Sequence, residues 1–408
     1  MGRIAIIGAG AAGCFAAANI GKEHEVTVFE KSSKPMQKVK VSGGGRCNLT
    51  HACFDIPELV KRYPRGQSLL KRSLYQFGPR QTIEWFESRG VAVKEEADGR
   101  MFPTSDNSQS IIDCIWDQMM ASGVQVRYNR SLINLLPEGD GFRLQFSEGA
   151  DAIADKVILA PGSILKPEQW KWLSATGHTV QAPAPSLFTF NLPGNAITRL
   201  MGVSVPVVSV RLAGTKFKEE GPILITHWGL SGPAVLKTSA YAAKALQDCQ
   251  YEATILVNWL QDMTAHELLE QFQELRQNQG KASIWTRNPF ELPRRLWEFL
   301  LERIGIPEQQ RWAELSATMQ QRLIQSLVAD AYSMKGKTTY KEEFVTCGGI
   351  SLPDINPQTM ESRKLPGLYV AGEAMDVDGI TGGYNFQHAW SSAWIAAQSI
   401  KQALSGHS

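Results

Sequence analysis

Cysteine is sparse in this chain, with six among 408 residues, at positions 14, 47, 53, 114, 249 and 347. That is neither the density nor the pairing of a secreted disulfide scaffold, and it predicts reduced thiols in a cytoplasmic protein. Cys47, His51 and Cys53 form the one run with metal-ligand character. No second pair completes a four-ligand set, so no metal site is expected. Neither sign of charge is in excess: 42 Lys+Arg against 40 Asp+Glu leave a formal net charge of +2. Such a balance gives no global pull toward nucleic acid or acidic surfaces. Long hydrophobic runs are missing too. RIAIIGAGAAGCFAAANI is almost wholly apolar, but Gly8, Gly10 and Gly13 interrupt it. It lacks the unbroken centre of a signal peptide and the ~20 strongly apolar residues of a membrane span. No targeting segment and no membrane partner are expected, and no internal repeat or low-complexity stretch occurs.

What remains is a soluble globular composition, long enough for two or three domains. The opening motif is the most informative. Arg3 to Ile7 reads as a buried strand, Gly8-Ala9-Gly10-Ala11-Ala12-Gly13 as a glycine-rich turn, and Cys14 to Ile20 as a helix. A second strand, Glu25 to Phe29, ends at Glu30-Lys31. In this arrangement the first glycine permits the turn, the second lets backbone approach a pyrophosphate, and the third lets helix and strand pack closely. The helix N-terminus offers N–H groups to phosphate, and Glu30 is placed to accept from a ribose diol. An acid there disfavours the extra phosphate of NADP, leaving FAD or NAD.

Later segments select FAD. Val157 to Gly162 reads as another buried strand ending in a small-residue turn that includes Ala160 and Gly162. Gly367 to Glu373 is a strand closing on Gly372 and an acid. Thr381-Gly382-Gly383-Tyr384-Asn385-Phe386-Gln387 leads into a long helix ending near Ala403. That helix start is expected to bring backbone against a flavin ring, its N–H groups facing the pyrimidine carbonyls. Between these segments, VSGGGRCNLTH (Val41 to His51) makes a poor helix and a poor strand. Its glycines suit close approach of backbone to a ligand, with Arg46 and Asn48 adding polar contacts; a glycine hinge in a surface loop is the alternative.

GAGAAG, SGGGRCNLT, GRMFPTSD, THWGLSGPAVLKTS, TCGGIS and GLYVAGEAMDVDGITGGYNFQHAWSSA together resemble the BaiN-like family of bacterial NAD(P)/FAD-dependent oxidoreductases, which includes aminoacetone oxidase. The resemblance runs from end to end. It implies bound FAD, a discontinuous Rossmann-like α/β domain, and an inserted small β-barrel carrying a helical subdomain. It also implies flavin contacts from Gly8, Gly10, Gly13, Glu30, Ser42, Gly43, Gly45, Arg46, Cys47, Asn48, Gly372, Glu373, Asp376, Gly383, Tyr384 and Asn385. One departure stands out. Where members carry alanine-threonine-glycine-glycine, this chain has Ala160-Pro161-Gly162-Ser163. Pro161 has no N–H to donate, so the cofactor edge or substrate entrance is expected to differ.

The expected boundaries are 1–185 with 345–408 for the FAD domain, 186–260 with 333–344 for the barrel, and 261–332 for the helical subdomain. Alternating runs at Leu187–Leu192, Val205–Leu212, Pro222–Thr226 and Tyr251–Val257 read as antiparallel strands. HELLEQFQELRQ, PRRLWEFLLERIG and MQQRLIQSLVADAY read as helices. A substrate is expected between the insert and the flavin. Lys61, Arg62, Arg65, Lys71, Arg72 and Arg80 fall along one expected amphipathic helix and read as a solvated face.

The chemistry expected is hydride transfer between a small organic substrate and flavin, with NAD(P)H as a transient electron donor. No residue stands out as a catalytic acid; His227 is more simply read as structural. Cys47 and Cys53 are separated by five residues rather than the four of flavin disulfide reductases, which argues against a redox pair. Two alternatives stay open: an RNA-modifying flavoprotein, against which the balanced charge speaks, and a protein that binds FAD without turnover.

Overall fold

The computed structural model describes residues 1–164, 167–338 and 345–405. Arg3–Ile7 carries β-branched and small apolar side chains, buried from Ile4 onward. It forms the centre of a five-stranded sheet in the order Leu368–Val370, Lys156–Leu159, Arg3–Ile7, Glu25–Phe29, Gln125–Arg127. Every neighbouring pair is parallel. Parallel pairing needs crossovers, and strands buried on both faces read as continuous apolar runs. Because all five strands point one way, the loops after Ile7, Phe29, Leu159 and Val370 gather along one edge, where such sheets bind their ligands.

Helix Ala11–Ile20 packs against the long C-terminal helix Tyr384–Ser405. Phe15 joins them, its ring centroid 4.6 Å from Trp85 and 5.1 Å from Trp390. Two small antiparallel sheets flank this layer: Thr50–His51 with Arg100–Pro103 and Val93–Glu95, and Leu132–Glu138 with Gly141–Phe146 and Ala152–Ala154.

Contacts divide the chain into two compact units, Met1–Pro185 with Tyr340–Ser408, and Ser186–Thr339. Part of the expected second boundary, residues 339–344, lies outside the described residues. The second unit is a seven-stranded sheet in the order Asp330–Lys335, Glu252–Asn258, Ser204–Leu212, Lys218–Ile225, Gly229–Ser231, Thr189–Asn191, Lys337–Thr338. All its pairings are antiparallel. One run around Gly336 thus supplies both ends of the sheet. Helix Pro233–Tyr241 starts on Pro after Gly232, a first-turn position where the missing N–H of proline costs no hydrogen bond. Helices Ala265–Gln279, Arg294–Ile304 and Ala317–Val328 belong to the same unit.

Two expected helices are corrected. The last one of the insert ends at Val328, and Asp330–Lys335 is a strand whose residues alternate between buried and exposed. Its six residues pair with Glu252–Val257, and that pairing overrides their local helical preference. The basic stretch is likewise three short helices, Ile56–Val60, Gln67–Gln76 and Pro79–Glu87. Pro64-Arg65-Gly66 and Gly78-Pro79 break it.

Candidate dinucleotide-binding site

Three glycines of the first loop have three different surroundings. A Cβ on Gly13 would lie 1.9 Å from the Gly8 carbonyl oxygen, and one on Gly8 2.3 Å from that of Ala160. Both positions are glycine because protein backbone fills the space. Gly10 is the opposite case: no heavy atom lies within 4 Å of a Cβ built there. Its backbone faces open space at the start of a helix that no side chain caps, so the first N–H groups, from Ala11 and Ala12 onward, lack intrahelical acceptors. A diphosphate fits that description.

Glu30 closes one side. Its buried carboxylate accepts from Ala9 N (2.8 Å), from Ser32 N (2.9 Å) and from Ser32 Oγ (2.8 Å). Lys31 beside it is exposed. Met36 N donates to Ala9 O at 2.8 Å, which brings helix Gln37–Gly45 alongside the glycine loop. This helix stops being helical at Ser42 (φ −64°, ψ 150°). Gly43, Gly44 and Gly45 then take φ of 56°, 68° and 85°, the left-handed region that favours glycine. Gly44 and Gly45 also face open space.

Beyond the glycines, side chains turn to protein. The Arg46 guanidinium lies over the Phe102 ring (4.0 Å) and pairs with Glu96 (2.6 Å) and Asp106 (3.5 Å). Cys47 is buried at φ 62°, its N–H on Ser42 O, and burial pushes its thiol up to about 12. Asn48 directs its amide oxygen to Gly383 N (3.0 Å) and its nitrogen to Thr50 O (2.9 Å) and Met101 O (3.3 Å). The polar contacts expected of Arg46 and Asn48 are therefore made within the protein, and the loop presents mainly backbone.

Asn48 thereby joins the second half of the site. A Cβ on Gly383 (φ 88°) would meet Thr50 O at 2.5 Å and the Asn48 amide group at 2.8 Å. This corrects the reason expected for that glycine: its missing side chain makes room for the protein's own loop. Gly382 beside it has φ 132°. Asn385 pins the same turn by exchanging two hydrogen bonds with Gly379, at 2.8 and 2.9 Å. Tyr384 stacks on His51 with centroids 5.0 Å apart.

The third side comes from the strand ends. Ala160 is buried, and Gly162 takes φ 80°. A Cβ on Gly372 would come within 2.9 Å of the Ala12 Cβ, so this turn lies against the first helix. Glu373 accepts from Lys38 Nζ (2.6 Å) and Ser163 Oγ (3.0 Å). Burial opposes its charge, but Lys38 and Ser163 hold its carboxyl below the usual range. Ser163, the residue at the departure from the family pattern, is thus a partner of the acid. Asp376 accepts from Gly348 N at 2.9 Å.

Sequence reading missed Lys38, Ser163 and the buried pair of Arg65 with Asp378, whose side chain is fully buried. Nothing in the local pattern of any of these residues marks its partner. It also left His388 unassigned. This histidine is buried against Gly372 O (Nε2 at 3.2 Å), with Nδ1 unpartnered. His227 is exposed, its ring edge-on to Trp228. No helix among the described residues is long and apolar enough to cross a membrane.

Glycine loop, acid at the second strand end and backbone-lined turns on one sheet edge define a Rossmann-type dinucleotide-binding protein, and the open cradle at Gly10, Gly44 and Gly45 fits an FAD. The chain belongs to the flavoprotein family its motifs resemble: residues 2–399 match the HI0933-like protein Rossmann domain. It is 33% identical over 410 residues, covering 98% of each chain, to a ribosomal RNA dihydrouridine synthase of Escherichia coli (strain K12). It is 28% identical over 413 residues to a 3-dehydro-bile acid delta(4,6)-reductase of Clostridium scindens, covering 98% of this chain and all of that one (100%). Among solved structures, a 3-ketosteroid delta1-dehydrogenase from Sterolibacterium denitrificans shares the fold at a TM-score of 0.51 and 12% identity, covering 99% of this chain and 100% of that one.

Proposed function

We propose that this protein is an FAD-dependent reductase that saturates the carbon–carbon double bond of a uracil base in ribosomal RNA, with NAD(P)H as electron donor, in the cytoplasm. The observation that carries the reading is the full-length likeness to a ribosomal RNA dihydrouridine synthase, in a chain whose glycine cradle fits the cofactor. The named substrates of the two relatives share one chemical feature. A uracil ring and a 3-dehydro bile acid unsaturated at positions 4 and 6 both carry a double bond conjugated to a carbonyl, which makes the far carbon a hydride acceptor. The balanced net charge, which speaks for a small-molecule substrate, is outweighed by this likeness.

With solvent supplying the proton, the hydride would come from bound FAD once NAD(P)H has reduced it. The chain's own groups hold it: N–H groups at the start of Ala11–Ile20 take the diphosphate, and Glu30 takes the ribose diol, exchanging one of its present bonds. The N-terminal turn of Tyr384–Ser405 favours negative charge on a ring carbonyl by about 0.3–1 kcal/mol, up to ~2 when partly buried. Glu373, kept ionised beside Lys38 and Ser163, accepts from hydroxyls of the cofactor chain.

The test is nucleoside mass spectrometry of ribosomal RNA from a bacterial host lacking its own ribosomal RNA dihydrouridine synthase. Expressing this protein should restore dihydrouridine. Fully flavin-loaded protein and RNA without dihydrouridine would overturn the substrate and leave a small conjugated enone, or no turnover, as the remaining readings.

A further inference from the structure

Between Glu58 and Glu84 the chain has no acidic residue and six basic ones, in a protein whose net charge is only +2. Two of the six are engaged: Lys61 pairs with Glu58 at 2.6 Å, and Arg65 with buried Asp378. Arg62, Lys71, Arg72 and Arg80 are exposed. Helix Gln67–Gln76 buries Leu69, Leu70, Ser73 and Leu74, and turns Lys71, Arg72 and Tyr75 outward. Tyr75 is 61% exposed, an uncommon position for a large aromatic ring. Arg80 lies 4.3 Å over the ring of Phe54, which is itself 37% exposed.

This segment is fastened to the turn that precedes the long helix. Tyr63 Oη donates to Tyr384 O at 2.7 Å, and Ile380 N donates to Arg62 O at 3.0 Å. Gly66 lies against Val377, where a Cβ would come within 2.6 Å of its side chain. A polymer resting on the basic face therefore lies beside the turn that carries Gly382 and Gly383.

Cations that track a phosphate backbone, interleaved with exposed aromatic rings on which bases stack, are the means by which proteins hold single-stranded nucleic acid. We propose that this face docks RNA in an unpaired segment, with Arg62, Lys71, Arg72 and Arg80 on phosphates and Tyr75 stacked on a base. The proposal rests on the ribosomal RNA reading above. The acids nearest in sequence, Asp55, Glu58, Glu84 and Glu87, border the stretch on its two sides and limit how far the RNA extends.

The experiment is an anisotropy titration of FAD-loaded protein with fluorescein-labelled single-stranded oligouridylate at several salt concentrations. Lys71→Ala/Arg72→Ala should weaken binding and lower the salt slope by roughly 1.4, about 0.7 for each phosphate that is no longer neutralised. Tyr75→Ala should weaken binding roughly tenfold to a hundredfold with the slope unchanged. The control pair Lys216→Ala/Lys281→Ala, exposed in the other unit, changes net charge equally and should leave affinity alone. All variants should keep wild-type flavin content. If the Lys71/Arg72 pair behaves like the control pair, or the protein prefers phosphatidylglycerol vesicles to the RNA, the proposal is overturned. Dihydrouridine formed in cells by a variant that no longer responds to Tyr75 or the cations would sink the docking face alone. Loss of RNA binding in the variants, with no dihydrouridine from the wild type, would sink the substrate reading and leave the face standing.

Discussion

Asn48 and Gly383, near opposite ends of the chain, meet through a 3.0 Å hydrogen bond from the Gly383 N–H to the Asn48 amide oxygen. The glycine-rich loop and the turn before the last helix are thus one structure. Asn48→Ala takes the side-chain partner from the Gly383 N–H and the Thr50 carbonyl, while Met101 O keeps its bond from Leu49 N, and should cost about 1–3 kcal/mol. Gly383→Ala should cost at least as much, because its Cβ would press on Thr50 O from a left-handed backbone. Urea unfolding of the apoprotein checks both, and wild-type stability in either would mean the loops are not joined this way.

Gly10 and Gly13 should separate ligand from fold. Gly10 has φ −85°, which alanine adopts freely, and open space around its Cβ. Gly10→Ala should therefore leave apoprotein stability within about 0.5 kcal/mol while weakening FAD binding. Gly13→Ala drives a methyl into the Gly8 carbonyl and should unfold the domain or shift its first helix. Calorimetric titration of FAD beside thermal melts distinguishes them. Equal FAD affinity in wild type and Gly10→Ala would remove the first loop from the site.

The two cysteines near the loop should behave independently. Cys47 is buried, and its thiol stays protonated up to about 12, so it should resist iodoacetamide in the native state at mildly alkaline pH. Cys53, only partly buried, should react first. Cys53→Ser should leave the rate of flavin reduction unchanged, and a large loss of turnover would revive a redox pair.

His388 predicts an acid-labile fold. Burial lowers its pKa from 6.5 to about 4, so the folded protein holds a neutral imidazole while the unfolded chain takes up a proton. The sign follows: its contribution is full above pH 6.5, falls as pH drops toward 4, and is level below that. The loss amounts to at most about 3 kcal/mol. His388→Gln should flatten the stability–pH curve across that window, and an unchanged curve would show that the imidazole titrates normally.

The glycine loop, Glu30 and the strand ends are legible in the sequence because each motif is local: strand, turn and helix follow within one stretch of chain. Lys38 with Glu373 and Arg65 with Asp378 are not, since each joins residues of ordinary surface type across most of the sequence. Asp330–Tyr332 reads as the end of a helix because the apolar spacing before it is helical, and only pairing with Ile255–Val257 makes it strand. At Gly383 the motif marks a glycine, but sequence does not show which atom occupies the space a side chain would fill, here the Thr50 carbonyl oxygen.

A single-turnover reaction tests the central claim most directly. FAD-loaded protein, reduced anaerobically and freed of excess donor, is mixed with ribosomal RNA transcribed without modifications. The account predicts that the yellow absorbance of oxidised flavin returns in step with dihydrouridine, one formed for each flavin reoxidised. A flavin that stays reduced in the presence of the RNA and reoxidises only on exposure to air would contradict it.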